Sequence, residues 1–266
     1  MTQTPGGLHF EIHAGPSADG PAVVLSSGLG GSGAFWAPQM AALTAQFNVL
    51  LYDHRGTGKS TRDLAAPTSV ETMANDIVEV LDAAGLECAH LVGHAAGGNA
   101  GLALALSHPE RLASLTVVNG WAAPDPHIRR CFDTRLALLK DSGPEAYVHA
   151  QPLFLYPANW ISQNAQRLAE EEVHHIAGFQ GAQNMRVRIE ALLTFDIEAR
   201  LGDITVPTLV AASADDTLVP VLCSQHLAAR LPKAELEVFP WGGHAFTVTA
   251  AEAFNTRLVA FLSGHA

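Results

Sequence analysis

The stretch 88-CAHLVGHAAGGNAGLALALSHP-109 contains the most informative turn of this sequence. A short apolar run leads into the glycine-rich turn 93-GHAAGG-98, and an apolar helical pattern follows it. This is the position and spacing of the G-x-S-x-G turn, in which a strand bends sharply into a helix and the residue at the bend points to the carboxyl edge of a sheet. Gly93 and Gly97 suit this turn because strand and helix approach closely there. Ala95 stands where the pattern has serine, so the turn is predicted without its usual nucleophile.

Short β-rich runs alternate with helical patterns on both sides of this turn. Most of the runs are continuously apolar, which is typical of strands buried on both faces of a parallel sheet. The clearest helical pattern is 69-SVETMANDIVEVLDAAG-85, with Thr68 and Glu71 expected to start it as a capping box. The order strand, helix, strand predicts an α/β fold whose sheet is mostly parallel and flanked by helices. The predicted strands are 21–27, 47–53, 88–94, 114–120, 206–213 and 234–240.

The alternation stops between residues 121 and 205. This segment has helical patterns, several proline-marked turns and no convincing strand, and the sheet pattern returns at Val206. We therefore predict a core formed by 1–120 and 206–266, with a helical cap, 121–205, inserted after the strand that ends near Gly120. Because parallel sheets bind ligands at the carboxyl ends of their strands, a cap at this point is expected to cover the binding site.

Composition narrows the possible functions. The 266 residues are 48% hydrophobic and only 15% charged, which excludes a disordered chain. The formal net charge of −11 disfavours a nucleic-acid partner and means that an anionic substrate needs local arginines. No signal peptide or membrane-length apolar run is visible, and three scattered cysteines indicate neither disulfides nor zinc. We expect a cytoplasmic protein with a small-molecule substrate and no membrane partner, metal or cofactor; its oligomeric state stays open.

Four further segments follow predicted strands. The turn 26-SSGLGGSG-33 would let backbone N–H groups approach a ligand, although plain turns have the same composition. The segment 53-DHRGTGKS-60 lacks the full GxxxxGK[ST] spacing, so we interpret it as a structural turn rather than a nucleotide site. The segments 213-SADDTLVP-220 and 241-WGGHAF-246 place an acid after one strand and a histidine after the next. Nucleophile position, acid and base thus follow each other in the order of a catalytic triad.

With these motifs the chain resembles the α/β-hydrolase superfamily over essentially its whole length. The resemblance implies that Ala95 occupies the nucleophile position, Asp216 the acid position and His244 the base position. Asp216 is preferred to Asp215 because the family's acid usually precedes the proline of this loop by four residues. The backbone N–H groups implied as oxyanion-hole donors are those of Leu29 and Ala96.

A narrower resemblance involves segments that lie partly in the predicted cap. The chain is similar there to the aminoacrylate hydrolases of pyrimidine utilisation, a family that has also been labelled carbamate hydrolases. The resemblance implies hydrolysis of 3-aminoacrylate to malonic semialdehyde and ammonia, in uracil degradation. The segments that carry it are 118-VNGW-121, 129-RRCF-132, 150-AQPLFLYPANW-160, 179-FQG-181 and 242-GGHA-245.

The same segments supply candidates for substrate contact. A short carboxylate substrate needs a counter-charge, and Arg129 or Arg130 is favoured because both lie just inside the predicted cap. The aromatic candidates are equally compatible with a place in the core of the cap. The predicted substrate-contacting residues are Asn119, Trp121, Arg129, Phe154, Tyr156 and Trp160.

The absence of a hydroxyl at position 95 limits the chemistry. Ala95 cannot form an acyl-enzyme, but His244 oriented by Asp216 can still activate water, which suits a labile substrate. Three alternatives stay open. The chain is a serine esterase or lactonase carrying a Ser-to-Ala nucleophile knockout at Ala95, a non-catalytic ligand-binding protein on the same scaffold, or a lyase or cofactor-free oxygenase that uses the same pair as a base.

Overall fold

The structure, a computed structural model, describes residues 2–266, which form one eight-stranded sheet with helices on both faces. The strands are β1 Thr2–Gln3, β2 His9–His13, β3 Ala22–Ser26, β4 Asn48–Tyr52, β5 Ala89–His94, β6 Leu112–Val118, β7 Thr208–Ser213 and β8 Ala234–Phe239. The helices are α1 Ala37–Thr44, α2 Val70–Ala83, α3 Ala96–Ser107, α4 Pro126–Leu155, α5 Ala158–Gln163, α6 Ala165–Ala177, α7 Ala182–Thr194, α8 Val221–Arg230, α9 Phe246–Thr249 and α10 Ala251–Ser263. No helix of residues 2–266 combines the length and the apolar composition that crossing a membrane requires.

The sheet has the strand order β1-β2-β4-β3-β5-β6-β7-β8. The two N-terminal strands are antiparallel to their neighbours, and β4, β3, β5, β6, β7 and β8 run parallel to one another. This confirms the predicted fold class, and each of the six predicted strands is present within two residues of its expected bounds. The sequence analysis missed β1 and β2, because these short strands are partly exposed and carry no continuous apolar run.

The central strands bury both faces, and successive side chains join different cores. In β3, Val24 belongs to the core that includes residues of α2 and α3, whereas Val23 and Leu25 belong to the core that includes residues of α1 and α10. This is the period of two expected for a strand covered by helices on both sides. Burial on both faces explains why the sequences of these strands are continuous apolar runs.

The predicted helix at 69–85 is confirmed as α2, but its cap is one residue later than expected. Ser69 is the N-cap, and its side-chain oxygen accepts a hydrogen bond from the Thr72 N–H at 3.2 Å. Ser69 has the extended backbone of an N-cap residue. Thr72 is three positions later, and the N–H of that position is the usual donor to an N-cap hydroxyl. The expected pairing of Thr68 with Glu71 was therefore wrong by one position.

Four helices, α4 to α7, lie between β6 and β7, in the segment predicted to be helical. We call them the helical segment, residues 126–194. This segment contacts loops that follow three strands at their carboxyl ends: Asn184 Nδ2 donates to the Gly56 carbonyl at 3.1 Å, His127 Nε2 lies 2.8 Å from the Thr217 carbonyl, and Gln180 Nε2 lies 3.4 Å from the Leu29 carbonyl. That the segment acts as a cap over a binding site stays a prediction.

The long helix α4 is sharply bent at Gly143, which has φ 87°. Arg135 Nη2 donates to the Tyr147 hydroxyl at 2.7 Å and to Gln151 Oε1 at 2.6 Å, across the bend. Twelve residues of straight helix span about 18 Å, which is beyond the reach of these side chains. The two halves of α4 therefore fold back on each other.

The turn between β5 and α3 generates the first testable prediction. A Cβ atom added at Gly93 would overlap the backbone of Gly97, and neither backbone can move without displacing the sheet. We expect Gly93→Ala to lower the free energy of unfolding by about 3 kcal/mol, measured by urea denaturation. The matched control is Gly202→Ala, where an added Cβ meets no atom within 4 Å and where we expect a change within about 0.5 kcal/mol. Equal stability of the two variants would contradict the close approach.

Candidate active site

The turn that follows β5 has an unusual backbone at Ala95. Its φ of 47° and ψ of −107° lie in a region that non-glycine residues rarely adopt. The Ala95 N–H donates to the Val118 carbonyl at 2.8 Å, which ties the bend to the end of β6. Gly97 passes so close to Ser26 of β3 that a Cβ atom would overlap the Ser26 carbonyl. The bend has the geometry of a nucleophile turn, but it presents only a methyl group.

His244 and Asp216 meet beside this bend. The His244 Nδ1–H donates to Asp216 Oδ2 at 2.7 Å, and both side chains are almost completely buried. The other carboxylate oxygen of Asp216 accepts hydrogen bonds from the Leu218 and Val219 N–H groups at 2.7 and 2.9 Å. These bonds fix the carboxylate, and the carboxylate fixes the tautomer of the ring. In the neutral ring Nε2 is then the nitrogen without a proton, and among residues 2–266 the His244 ring is hydrogen-bonded only through Nδ1.

Asp215 has a different task from its neighbour. It accepts hydrogen bonds from the Ser213 hydroxyl at 2.6 Å and the Gly243 N–H at 2.8 Å, and so connects the two loops after β7 and β8. Burial raises the pKa of its carboxyl, but these hydrogen bonds outweigh the effect and leave the pKa below its ordinary value. The geometry thus pairs Asp216, rather than Asp215, with the histidine ring.

Two buried side chains hold the backbone of His244. Its carbonyl lies 2.9 Å from His94 Nε2 and accepts from Asn119 Nδ2 at 2.7 Å. The His94 ring also packs against the His244 ring at a centroid distance of 4.7 Å. Asn119 was predicted to contact substrate, but its amide faces protein groups: Oδ1 lies 3.4 Å from the Ser213 N–H, and the residue is 1% exposed. This geometry supports a positioning task for Asn119.

The sequence analysis missed His94 as part of the site. Burial lowers its pKa to about 3, with the nearby His244 adding to the effect. Nδ1 of the ring is buried and has no hydrogen-bond partner within residues 2–266. In the sequence, only the position of His94 directly before Ala95 points to the site. The G-x-S-x-G motif allows any residue at that position, so the motif does not predict a histidine there.

The predicted oxyanion-hole donors come from the loop after β3 and from the first residue of α3. Neither the Leu29 N–H nor the Ala96 N–H donates to any acceptor within residues 2–266, and Ala96 is the first residue of α3, where N–H groups lack helical partners. The Leu29 carbonyl accepts from Gln180 Nε2 at 3.4 Å and Arg188 Nε at 3.3 Å. The helical segment therefore holds Leu29 in place. Neither N–H group is used within residues 2–266, and their role as oxyanion-hole donors stays a prediction.

Arg188 anchors a buried polar network that the sequence analysis did not identify. Its Nη2 lies 2.9 Å from His54 Nδ1, His54 Nε2 lies 3.1 Å from the Ser26 hydroxyl, and that hydroxyl lies 2.7 Å from the Tyr52 hydroxyl. Burial lowers the pKa of Arg188 to about 10 and, together with the Arg188 charge, holds the pKa of His54 well below its ordinary value. We had interpreted the loop that carries His54 only as a structural turn.

The remaining predicted substrate residues have different environments. Trp121 is 1% exposed and its ring lies 6.5 Å from that of Phe132 in the core. Tyr156 and Trp160 stack at 4.4 Å, and Trp160 lines a surface cleft together with Asp215 and Trp241, which belong to the loops after β7 and β8. Arg129 and Arg130 are both exposed on α4, and contact of either arginine with substrate stays a prediction. Phe154 is half-buried and packs against the core that includes Ala95 and Leu29.

The described residues offer no arrangement for a metal. Within residues 2–266, no group of three or more His, Cys, Asp or Glu side chains is placed to hold an ion. The structure pairs Asp216 with His244, and it leaves N–H groups without acceptors at Leu29 and at Ala96, the residue after the bend. This set can orient an imidazole, activate a water molecule and stabilise a developing oxyanion.

Comparison with known proteins shows the family to which the chain belongs. A family model described as alpha/beta hydrolase fold matches residues 21–251. The chain belongs to this family. A relative from Caulobacter sp. (strain K31), named "Putative carbamate hydrolase RutD", is 65% identical over 98% of this chain and 97% of its own length. A protein of the same name from Variovorax paradoxus (strain S110) is 57% identical over 96% of both chains.

A solved structure extends the comparison to the complete fold. The enol-lactonase from Burkholderia xenovorans LB400 superposes with a TM-score of 0.88 at 26% identity, covering 98% of each chain. The similarity therefore includes the helical segment as well as the sheet. Together with the RutD relatives, this α/β hydrolase similarity shows that the chain is a hydrolase.

The buried His94 leads to a prediction about acid stability. Its folded-state pKa of about 3 lies below the 6.5 of an unfolded chain, so the unfolded state binds the extra proton and stability falls as the pH drops from 6.5 towards 3. His94→Phe keeps the ring packing and removes the proton site. We expect its free energy of unfolding, measured in urea between pH 6.5 and 4, to fall less steeply than that of the wild type, by up to about 1.4 kcal/mol per pH unit.

The control for this experiment is the exposed His175 on α6. His175→Phe is expected to leave the pH slope of stability unchanged. If His94→Phe and the wild type have the same slope, His94 is not held in its neutral form by the fold.

Proposed function

We propose that this hydrolase cleaves the C–N bond of a small, labile amino-carboxylate with a water molecule activated by His244, and without a covalent intermediate. The observation that supports it is the pairing of His244 with Asp216 at 2.7 Å beside a bend that has no hydroxyl. A carboxylate-oriented imidazole is useful for water activation even where no nucleophilic side chain exists. Asp216 acts in this proposal by orienting the ring and stabilising its protonated form.

Carbamate is the substrate that the names of the relatives and the unpaired N–H groups favour. His244 Nε2 takes a proton from water while the water oxygen bonds to the carbamate carbon. The negative charge that develops on oxygen is stabilised by the Leu29 and Ala96 N–H groups. The imidazolium then returns the proton to nitrogen, the C–N bond breaks, and carbamate plus water yields bicarbonate plus ammonia.

3-Aminoacrylate, which the sequence resemblance implies, is the second candidate. A proton from solvent adds to the carbon next to the carboxylate and gives an iminium ion, and water adds to the iminium carbon as His244 accepts a proton. The imidazolium returns that proton to nitrogen, the C–N bond breaks and ammonia leaves. The hydroxyl proton is then released to solvent, which replaces the proton taken up in the first step, and malonic semialdehyde remains. His244 is the only side chain that this route requires, so the retained pair of His244 and Asp216 supports it as well. Either reaction fits a place in pyrimidine degradation.

Ammonia release is the direct test of this proposal. We expect the wild type to accelerate ammonia release from carbamate, or from 3-aminoacrylate generated in situ, above the enzyme-free rate. His244→Ala should lose about 10²–10⁴-fold of that acceleration because the general base is gone. The matched control is His175→Ala, which removes an exposed histidine and should retain the full rate.

Comparison of the two substrates also identifies which of them is used. Both assays contain an enzyme-free blank, because each substrate hydrolyses in water. If neither substrate is hydrolysed faster with the wild type, or if His244→Ala is as active as the wild type, the proposal is wrong.

A serine hydrolase altered at Ala95 is the rival function, and the retained bend with φ 47° favours testing it. We expect Ala95→Ser to acquire hydrolysis of p-nitrophenyl acetate, with an acetyl adduct on the introduced hydroxyl visible by mass spectrometry, because His244 can deprotonate a hydroxyl placed there. The wild type should show no adduct and should still release ammonia. Should only the Ala95→Ser variant release ammonia, the serine-free mechanism fails and the rival stands.

A further inference from the structure

Arg135 on α4 is 4% exposed and lies among aromatic side chains. Its guanidinium carbon is 5.6 Å from the ring centroid of Phe132, 5.2 Å from that of Tyr147 and 5.6 Å from that of Phe154. Nη2 donates to the Tyr147 hydroxyl and to Gln151 Oε1. Nε is buried, and within residues 2–266 neither Nε nor Nη1 has a hydrogen-bond acceptor. The side chain is held firmly, yet part of its donor capacity is unused.

The charge of Arg135 also has no counter-ion. No carboxylate of residues 2–266 forms an ion pair with it, whereas Arg55 pairs with Asp76 and Glu79. Aromatic faces and neutral acceptors offset only part of the cost of burying a guanidinium. Arg188, the other deeply buried arginine, differs because its Nε, Nη1 and Nη2 atoms all meet protein acceptors. A small anion would supply what the surroundings of Arg135 lack.

One side of Arg135 is close to the loop of Asp216. Cys131 lies one helical turn before Arg135 on the same face of α4, and its Sγ is 3.7 Å from the carbonyl of Thr217, the residue after Asp216. Burial raises the pKa of Cys131, while the charge of Arg135 lowers it and that of Asp216 raises it. Both charges therefore act on the same thiol.

The other side of Arg135 is close to the loop of His244. Phe154, whose ring faces the guanidinium, precedes Leu155, and the Leu155 carbonyl accepts from the Ala245 N–H at 2.9 Å. Ala245 directly follows His244 in the chain. Arg135 is thus flanked by the neighbours of both members of the proposed catalytic pair.

A second unused donor lies nearby. Trp121 Nε1 is buried and has no partner within residues 2–266, and the Trp121 ring lies 6.5 Å from Phe132. Phe132 is one of the rings that hold Arg135. Two buried donors without acceptors therefore flank the same ring, and most buried donors in folded proteins do have an acceptor.

We propose that Arg135 binds the carboxylate of the substrate and makes this site selective for small carboxylate anions over neutral amides and esters. The N–H groups on Nε and Nη1 are the donors left for that carboxylate, and charge-assisted hydrogen bonds are stronger than neutral ones. The inference rests on the proposed function for the identity of the substrate, but binding can be measured without turnover. It assigns to Arg135 the counter-charge that the sequence analysis had sought in Arg129 or Arg130.

The test is an NMR titration of the wild-type protein with unreactive probes at neutral pH, in a buffer free of carboxylates. Acetate matches the shape of carbamate, and propionate matches the three-carbon skeleton of 3-aminoacrylate; acetamide and propionamide are their neutral counterparts. We expect at least one carboxylate to bind at least tenfold more tightly than its amide. Arg135→Gln should lose at least tenfold of that affinity, and Arg129→Gln, on the same helix but exposed, should retain it.

Two further variants distinguish failure of this inference from misfolding of Arg135→Gln and from failure of the proposed function. Arg135→Lys keeps the charge but not the planar guanidinium; it should bind the carboxylate several-fold more weakly than the wild type, and it decides the question if Arg135→Gln does not fold. His244→Ala should retain carboxylate binding. If the wild type does not prefer carboxylates, or if the folded Arg135 variants bind them as the wild type does, the inference is wrong. Binding that depends on Arg135 without any turnover would sustain this inference and contradict the proposed function.

Discussion

The close contact of three backbones at the carboxyl end of β5 is the constraint on which the rest of the site depends. Gly93, Gly97 and Ser26 approach so closely that side chains at the glycines would overlap carbonyl groups. This contact forces the chain to reverse within one residue, and Ala95 takes the strained backbone that results. The bend places the first residue of α3, Ala96, at the carboxyl end of β5. A methyl group at the bend does not alter that geometry.

The same bend also determines where the base is held. His94 precedes Ala95, and its ring meets the His244 carbonyl at 2.9 Å while Asn119, from the loop after β6, donates to the same atom. Asp216 then fixes the other end of His244 through Nδ1. His244 is therefore held through its backbone carbonyl and through its ring, by residues at the carboxyl ends of β5, β6 and β7. Such preorganisation favours a reaction that has no nucleophilic side chain, because the base does not have to reorient before it takes a proton from water.

The sequence predicts the sheet and the ends of its strands well, because local patterns decide them. Apolar runs mark strands buried on both faces, and the spacing of Gly93 and Gly97 marks the bend. The positions of long polar side chains are harder to predict from sequence, because they depend on tertiary contacts. Arg129 and Arg135 are less than two helical turns apart on α4. The apolar residues Ile128, Cys131 and Phe132 mark the buried face, which includes position 135 but not 129. That pattern does not show that a charged residue on this face stays buried. The bend at Gly143, which brings Tyr147 and Gln151 back to Arg135, is what buries that arginine.

Charge explains why burial of that arginine matters for specificity. The chain carries a net charge of −11, so its overall field repels an anionic substrate and attraction must come from a local cation. An exposed arginine would be screened by water and salt and would distinguish anions from neutral molecules only weakly. A guanidinium held among aromatic rings interacts more strongly with an anion because the surroundings are less polar. No carboxylate of residues 2–266 neutralises Arg135, so the charge is balanced only when an anion binds. A neutral amide of the same shape would leave the free-energy cost of burying the guanidinium uncompensated.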